Sequence, residues 1–183
     1  MIVHDATSAE IYVFTFKAGV LSRVAHDLKL RVTELELTWA EDDAGVGEIR
    51  LRASPRSLRV VCAMRKGKQQ PNALSSKDCA DIERNVHTDV LQPTKFPEIR
   101  FASQHVEQVK TDRYRITGEL MLHGARRMLE TFVERRDDVW QADIPLHQPD
   151  FGIKPYSAML GSIRIKSRLM VQVRVPDTFS KAG

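Results

Sequence analysis

Apolar and polar residues alternate with a period of two along much of this chain. In the stretch IRIKSRLMVQVRV (163–175), Ser167 and the apolar residues share one face of an extended chain, and the basic residues share the other, with Met170 as the exception. Successive side chains of a β-strand point to opposite faces of its sheet. The pattern therefore predicts one long strand over 163–175, with one face buried and the other in solvent.

Shorter stretches repeat this alternation elsewhere in the chain. They are EIRLRA (48–53), YRITGELML (114–122), WQADIPL (140–146) and LKLRV (28–32). After LKLRV the alternation slips by one residue at Thr33 and Glu34 and then resumes at Leu35. Such a slip predicts a bulge or a sharp bend, which β-barrels use to close. Three polar segments are read as turns: EDDAGVG (41–47), HGARR (123–127) and RRDD (135–138).

One segment has helical rather than strand periodicity. Ser75 or Ser76 is a suitable N-cap, Cys79, Ile82 and Val86 form an apolar stripe, and a proline follows the stripe. Many strands at short spacing with one helical segment predict a single all-β domain over residues 1–183. An antiparallel barrel or a sandwich fits this pattern, with one or two short helices.

Small side chains favour a barrel with space inside. Four of them lie on the apolar faces of different strands: Ala53, Gly118, Ala142 and Ser167. A barrel of about eight strands encloses one small ligand, and small residues would leave room for it. The alternative is a filled core in which Phe14, Phe101 or Trp39 reaches across to close the gaps. The sequence alone leaves these two alternatives open.

His26 and Asp27 directly precede the alternating stretch LKLRV (28–32), and their pairing raises the question of an acid/base dyad. If Leu28 and Leu30 face inward, His26 also faces inward and Asp27 faces outward. The two side chains then do not form a dyad on one face. His26 is instead predicted to be a polar residue at the mouth of an apolar interior, and a structural role for it is favoured over a catalytic one.

Composition narrows the class of protein. The chain has 183 residues, of which 42% are apolar and 28% charged, as in globular domains with a sizeable core. No apolar run has the length of a membrane-spanning helix. The start, MIVHDATSAEIYVF, lacks the pattern of a signal peptide. We therefore expect a cytoplasmic protein, or a periplasmic one if a leader has been removed. Cys62 and Cys79 do not indicate a disulfide framework.

Neither the charge pattern nor any sequence motif indicates a catalytic or cofactor-binding site. The net charge is +4, and the densest basic stretch, 56–68, is read as a solvated loop rather than a phosphate clamp. No aromatic residues interleave it, so no nucleic-acid partner is expected. Motifs for nucleophilic hydrolases, nucleotide loops and zinc proteases are missing from the sequence. We accordingly predict no catalytic residues, no metal site and no cofactor.

Four segments resemble one known family. They are FTFKAGVLSRVAHDLKLRV (14–32), NVHTDVLQPTKFPEIRFAS (85–103), ITGELMLHGARRMLETFVE (116–134) and DFGIKPYSAMLGSIRIKSRLMVQVRV (150–175). They resemble the YceI-like proteins, and the middle two are the most specific. The resemblance covers roughly Ile11 to Val175. It implies an extended, lipocalin-like antiparallel barrel whose lumen holds a long isoprenoid or fatty chain.

The resemblance and the strand faces together predict a non-catalytic binding or carrier protein for a long-chain apolar ligand. The predicted ligand-binding residues are Leu28, Leu30, Val32, Ile116, Gly118, Leu120, Ile144, Ile163, Ile165, Ser167, Leu169 and Val171, with His26 and Tyr156 as polar members. Two alternatives stay open: a structural or stress-related module with a filled core, and a lipid-acting enzyme that uses His26 with Tyr156 or Ser157. A transient membrane contact and a homodimer are also left open.

Overall fold

The structure, a computed structural model, describes residues 2–18, 26–42 and 45–177. In these ranges it contains fourteen β-strands. They are β1 (Ile2–Asp5), β2 (Glu10–Thr15), β3 (Asp27–Val32), β4 (Leu35–Asp42), β5 (Gly45–Ala53), β6 (Leu58–Arg65), β7 (Lys68–Gln70), β8 (Ile99–Lys110), β9 (Arg113–Leu122), β10 (Ala125–Arg136), β11 (Val139–His147), β12 (Ser157–Ala158), β13 (Ile163–Arg164) and β14 (Arg168–Pro176).

The helical elements are few and short. The α-helix α1 spans Ser76–Asn85 and continues into a π-helical turn over Val86–Leu91. Three 3-10 helices span Pro55–Ser57, Gln148–Phe151 and Met159–Gly161. Ser75 is the N-cap, and its side chain and that of Asp78 form a reciprocal capping box. Within the described ranges, no helix is both long and apolar enough to cross a membrane.

Twelve strands form one curled antiparallel sheet in the order β1-β4-β5-β8-β9-β10-β11-β14-β2-β3-β6-β7, and β12 and β13 form a separate hairpin. The expected number of about eight strands is too low. The predicted strand over 163–175 is divided in two, the slip at Thr33 and Glu34 separates two further strands, and the short strands β1, β7 and β12 carry too few residues for alternation to reveal them. The predicted all-β class, with antiparallel pairing and a short helix, is confirmed.

The slip at Thr33 and Glu34 is a bend that separates β3 from β4. Backbone hydrogen bonds join this bend to the segment around the first 3-10 helix, from Thr33 N to Ser57 O at 3.1 Å and from Ser54 N to Glu34 O at 3.0 Å. Ser57 is fully buried, and its hydroxyl donates to the carbonyl of Ser54 at 2.8 Å. The bend therefore folds the two ends of the strand order towards each other.

The predicted continuous strand over 163–175 is wrong in one respect, because the sheet is interrupted at Lys166 and Ser167. The carbonyls of these two residues accept hydrogen bonds from the side-chain amide and backbone N–H of Gln148, at 3.0 and 2.9 Å. Pairing with β11 begins only at Arg168. The sequence pattern does not reveal this break, because the alternation of inward and outward side chains keeps its parity across it.

Core residues line the concave face of the curled sheet. In β3, Leu28, Leu30 and Val32 are buried while the residues between them are half-buried. Ile163 of β13 and Ile165, which follows this strand, are half-buried, and Arg164 between them is exposed. The predicted faces of these residues are therefore confirmed. The buried face encloses the candidate site.

Candidate ligand-binding cavity

A cavity of about 750 Å³ lies inside the curl of the sheet. Small-molecule sites have volumes of about 300–1,000 Å³. Side chains from β2 to β6, β8 to β11 and β14 contribute to its wall, and most are aliphatic or aromatic. The interior of the sheet is therefore an apolar space large enough for a small molecule, rather than a filled core.

Twelve of the fourteen residues predicted to bind a ligand lie on the cavity wall. They are Leu28, Leu30, Val32, Ile116, Leu120, Ile144, Ile163, Ile165, Leu169, Val171, His26 and Tyr156. Val13 of β2 also lies on this wall and its neighbour Phe14 does not. The aliphatic members share the inward faces of their strands, as the alternation of side chains predicts. Their contact with a ligand stays a prediction.

The prediction that Gly118 and Ser167 line the cavity is wrong. A Cβ atom at Gly118 would lie 2.6 Å from Cζ of Phe101, so the aromatic ring already occupies the space beside this glycine. Ser167 lies at the interruption of the sheet and lines an outer groove instead of the cavity. The room inside therefore does not come from these two small residues. Ala53 and Ala142, by contrast, are buried residues of the cavity wall.

Aromatic residues form one part of the wall. Trp39 and Trp140 make an edge-to-face contact with ring centroids 6.3 Å apart, and Tyr114 packs on Trp140 at 5.4 Å. Such pairs stabilise each other beyond their burial. Both tryptophans of the chain lie on the cavity wall, so their fluorescence reports on its contents.

The helical segment supplies a part of the wall that strand alternation did not predict. Ile82 and Val86 of the predicted apolar stripe line the cavity, and the following turn adds Val90 and Leu91. Ile82, Val86 and Leu91 pack against the buried cluster that contains Leu30. The stripe itself was the signal, since an apolar helix face in an all-β domain packs against the interior of the sheet.

Polar residues gather along one part of the wall, where α1 meets the segment before β12. Nδ2 of Asn85 donates to the hydroxyl of Tyr156 at 3.0 Å. His26 and Asp78 also line the cavity. The pKa of Asp78 is lowered, mainly because Ser75 donates hydrogen bonds to its carboxylate and to a lesser degree because Lys77 and His26 lie nearby. Sequence reading identified His26 and Tyr156 and missed Asn85 and Asp78.

Asp27 does not share this polar region with His26. Its carboxylate accepts a hydrogen bond from the backbone N–H of Lys17 at 2.8 Å. Asp27 is not on the cavity wall and His26 is. Ser157, the other suggested partner of His26, is exposed and also lies off the wall.

A curled antiparallel sheet around an apolar cavity, with a helix packed across part of it, defines a lipocalin-like class of ligand-binding fold. The model of the YceI-like domain matches residues 5–175, and the chain belongs to the YceI-like family. A comparison with curated proteins gave no match.

Solved structures share this fold at low sequence identity. BcnA of Burkholderia cenocepacia matches with a TM-score of 0.65 and 12% identity, over 93% of this chain and 97% of that one. A polyisoprenoid binding domain from Saccharophagus degradans matches with a TM-score of 0.57 and 9% identity, over 95% and 97%. The Campylobacter jejuni YCEI protein gives a TM-score of 0.55 at 13% identity, over 87% and 92%. These likenesses establish the fold.

Proposed function

We propose that this protein is a non-catalytic binding protein for an amphiphile with a long apolar tail, held in the cavity. The observation that carries the proposal is the apolar cavity of about 750 Å³ inside the sheet. The similarity in fold to a polyisoprenoid binding domain supports an isoprenoid tail over other apolar chains.

The physical driving force is the removal of the tail from water. Burial of each methylene stabilises a complex by about 0.8 kcal/mol, so a chain that fills the cavity needs few polar contacts for tight binding. An unfilled apolar cavity also costs stability, because the side chains on its wall lack partners for dispersion contacts. Occupation by a tail would restore these contacts and stabilise the fold.

The polar part of the wall is the proposed position of the head group. Oγ1 of Thr15 is buried and has no hydrogen-bond partner among the described residues, and Thr15 lies on the wall. The Tyr156 hydroxyl accepts from Asn85, which leaves its own proton for an acceptor on a ligand. Together with His26, these groups suit a head group that accepts and donates hydrogen bonds.

The charges on the wall favour an uncharged head group. Asp78 and Asp81 are the carboxylates among the described residues of the wall, and no lysine or arginine of the described ranges joins them there. A phosphate or carboxylate head would face like charges, which weakens binding. An alcohol or a carbonyl-bearing ring would not, and we infer a neutral head group of this kind.

Two features argue against the alternative functions. Two suggested partners of His26 are not beside it on the wall, because Asp27 lies off the wall and accepts from the backbone of Lys17, and Ser157 is exposed. A structural module with a filled core would not leave a cavity of this volume. A carrier needs neither a catalytic base nor a filled core.

Mass spectrometry of the protein, purified without added lipid, tests the proposal. Organic extraction should release an apolar compound in a ratio of about one per chain. Ala142→Phe places a ring in the cavity and should reduce the amount of this compound at least tenfold. Gln141→Phe is the matched control, since Gln141 lies on the opposite face of the same strand and should retain it.

Two outcomes would contradict the proposal. One is an extract without any apolar compound from a protein that also fails to bind added long-chain prenols. The other is equal loss from Ala142→Phe and Gln141→Phe, which would place the compound outside the cavity.

A further inference from the structure

An exposed apolar tip projects from the hairpin formed by β12 and β13. Met159 and Leu160 lie between these strands, and their exposed fractions are 66% and 109%. Both have positive φ angles, 50° and 53°, a region that residues with large side chains rarely adopt. The fold therefore holds two large apolar side chains in solvent in a backbone conformation that is costly to maintain.

Basic residues lie in the chain segments at the base of this hairpin. Lys154, Arg164, Lys166 and Arg168 line an outer groove beside the hairpin. Arg164, Lys166 and Arg168 are exposed, and none of the four has a carboxylate within salt-bridge distance in the described ranges. His147 of the same groove contacts Asp150 at 2.9 Å. The groove thus presents a cluster of positive charge that neighbouring side chains do not neutralise.

The hairpin is continuous with the cavity wall. Tyr156 and Ile165 line both the outer groove and the cavity, and Ile163 lies on the cavity wall. Residues 154–168 therefore contribute to the exposed tip, to the basic groove and to the cavity wall.

We propose that this stretch docks the protein on an anionic lipid bilayer. Met159 and Leu160 enter the boundary between head groups and acyl chains, and the basic residues contact lipid phosphates. Apolar side chains flanked by cations are typical of interfacial membrane binding. Docking here would bring the cavity wall to the surface from which an apolar ligand is collected or to which it is delivered. The docking surface goes beyond the ligand-binding proposal and does not depend on the ligand's identity.

Charge and apolarity together select this partner over others. A nucleic acid or an acidic protein would match the basic groove but would leave Met159 and Leu160 in solvent. A second copy of the chain docked tip to tip would place the two basic clusters against each other. An anionic bilayer satisfies both features at once.

Sedimentation with lipid vesicles tests the proposal. The protein should bind vesicles of phosphatidylcholine with 30% phosphatidylglycerol, weakly bind pure phosphatidylcholine, and lose binding as salt rises. The double variant Met159→Ser/Leu160→Ser should weaken binding at least tenfold. Each cation near an anionic surface changes binding by about fivefold. The triple variant Arg164→Gln/Lys166→Gln/Arg168→Gln should therefore weaken it by more than tenfold.

Matched controls exist for both variants. Arg65, Lys66 and Lys68 form a second exposed basic cluster, and their substitution by Gln removes the same charge. Met128 is 56% exposed on β10, and Met128→Ser removes a comparable apolar side chain. Both controls should bind vesicles within about twofold of the unmodified protein.

Several results would overturn the docking proposal. One is a lack of binding to anionic vesicles, and another is an equal loss of binding in the control variants. A third is an unmodified protein that forms a dimer in sedimentation equilibrium but does not bind vesicles, while the Met159→Ser/Leu160→Ser variant is a monomer. The apolar compound extracted from each variant is measured in parallel. A protein that keeps this compound but does not bind vesicles refutes docking alone, whereas an empty protein that binds vesicles refutes the ligand proposal alone.

Discussion

The ring of Phe101 fills the space into which a side chain at Gly118 would extend. A Cβ atom at Gly118 would lie 2.6 Å from Cζ and 2.8 Å from Cε2 of Phe101, and the carbonyl oxygen of Ala102 would be closer still. The strands β8 and β9 shift register next to this pair, between Ser103 and His105. The glycine thus permits a close approach of the two strands rather than leaving room for a ligand.

Gly118→Ala should therefore destabilise the protein by about 1–3 kcal/mol, because the added methyl group meets both a ring and a backbone carbonyl. Phe101→Leu in the same chain should recover part of this loss, since it removes the ring contact but not the one with Ala102. Urea unfolding of the two single variants and the double variant measures this coupling. A Gly118→Ala protein as stable as the original would contradict this account of the contact.

The side chain of Gln148 supplies a hydrogen bond at Lys166, where sheet pairing is interrupted before β14. It is 6% exposed, and its amide donates to the carbonyl of Lys166 at 3.0 Å. Gln148→Leu leaves this carbonyl without a partner, and we expect a loss of about 1–3 kcal/mol in the free energy of unfolding.

Gln172→Leu serves as the control for Gln148. Gln172 donates to Asp143 at 2.8 Å in an exposed hydrogen bond, so its loss should change stability by less than about 0.5 kcal/mol. Equal effects of the two substitutions in chemical denaturation would show that Gln148 does not hold the interrupted strand.

Three histidines make the stability of the protein depend on pH. Burial lowers the pKa of His4, His87 and His123, so each of them prefers the neutral form in the folded protein. The unfolded chain, with a histidine pKa near 6.5, then binds more protons than the folded one. This contribution to stability is present above about pH 6.5 and is lost as the pH falls through the lowered pKa values of the folded protein.

His123→Asn isolates one of these groups. Asparagine tolerates the φ of +52° at this position. The free energy of unfolding should fall between pH 7.5 and pH 5.0, and the variant should show a shallower slope, by at most about 1.4 kcal/mol per pH unit. Urea titrations at four pH values measure both slopes, and a protein that becomes more stable on acidification would contradict the assignment.

Strand alternation predicted the cavity wall well because each strand has one inward face. Leu28 and Leu30 on β3, or Leu169 and Val171 on β14, needed only their parity to be placed. The sequence also predicts the helix over Ser76–Asn85, since Ser75 supplies an N-cap and Ile82 belongs to an apolar stripe.

Features that depend on contacts between distant segments of the chain could not be predicted from the local sequence pattern. The sheet breaks at Lys166 because Gln148, eighteen residues earlier, bonds its carbonyl, and nothing in the local pattern signals this. Likewise, the role of Gly118 depends on a neighbouring strand that contributes Phe101. Asn85 became part of the polar wall only because its helix lies against the segment that contains Tyr156.

Titration of delipidated protein with a long-chain all-trans prenol, followed by tryptophan fluorescence, tests the central claim most directly. Trp39 and Trp140 both lie on the cavity wall, so an occupant changes their emission. The account predicts a saturable change with one prenol per chain and a raised melting temperature. Ala142→Phe should abolish the change and Gln141→Phe should retain it. A signal that does not saturate, or that persists in Ala142→Phe at the same affinity, would contradict a ligand held inside the sheet.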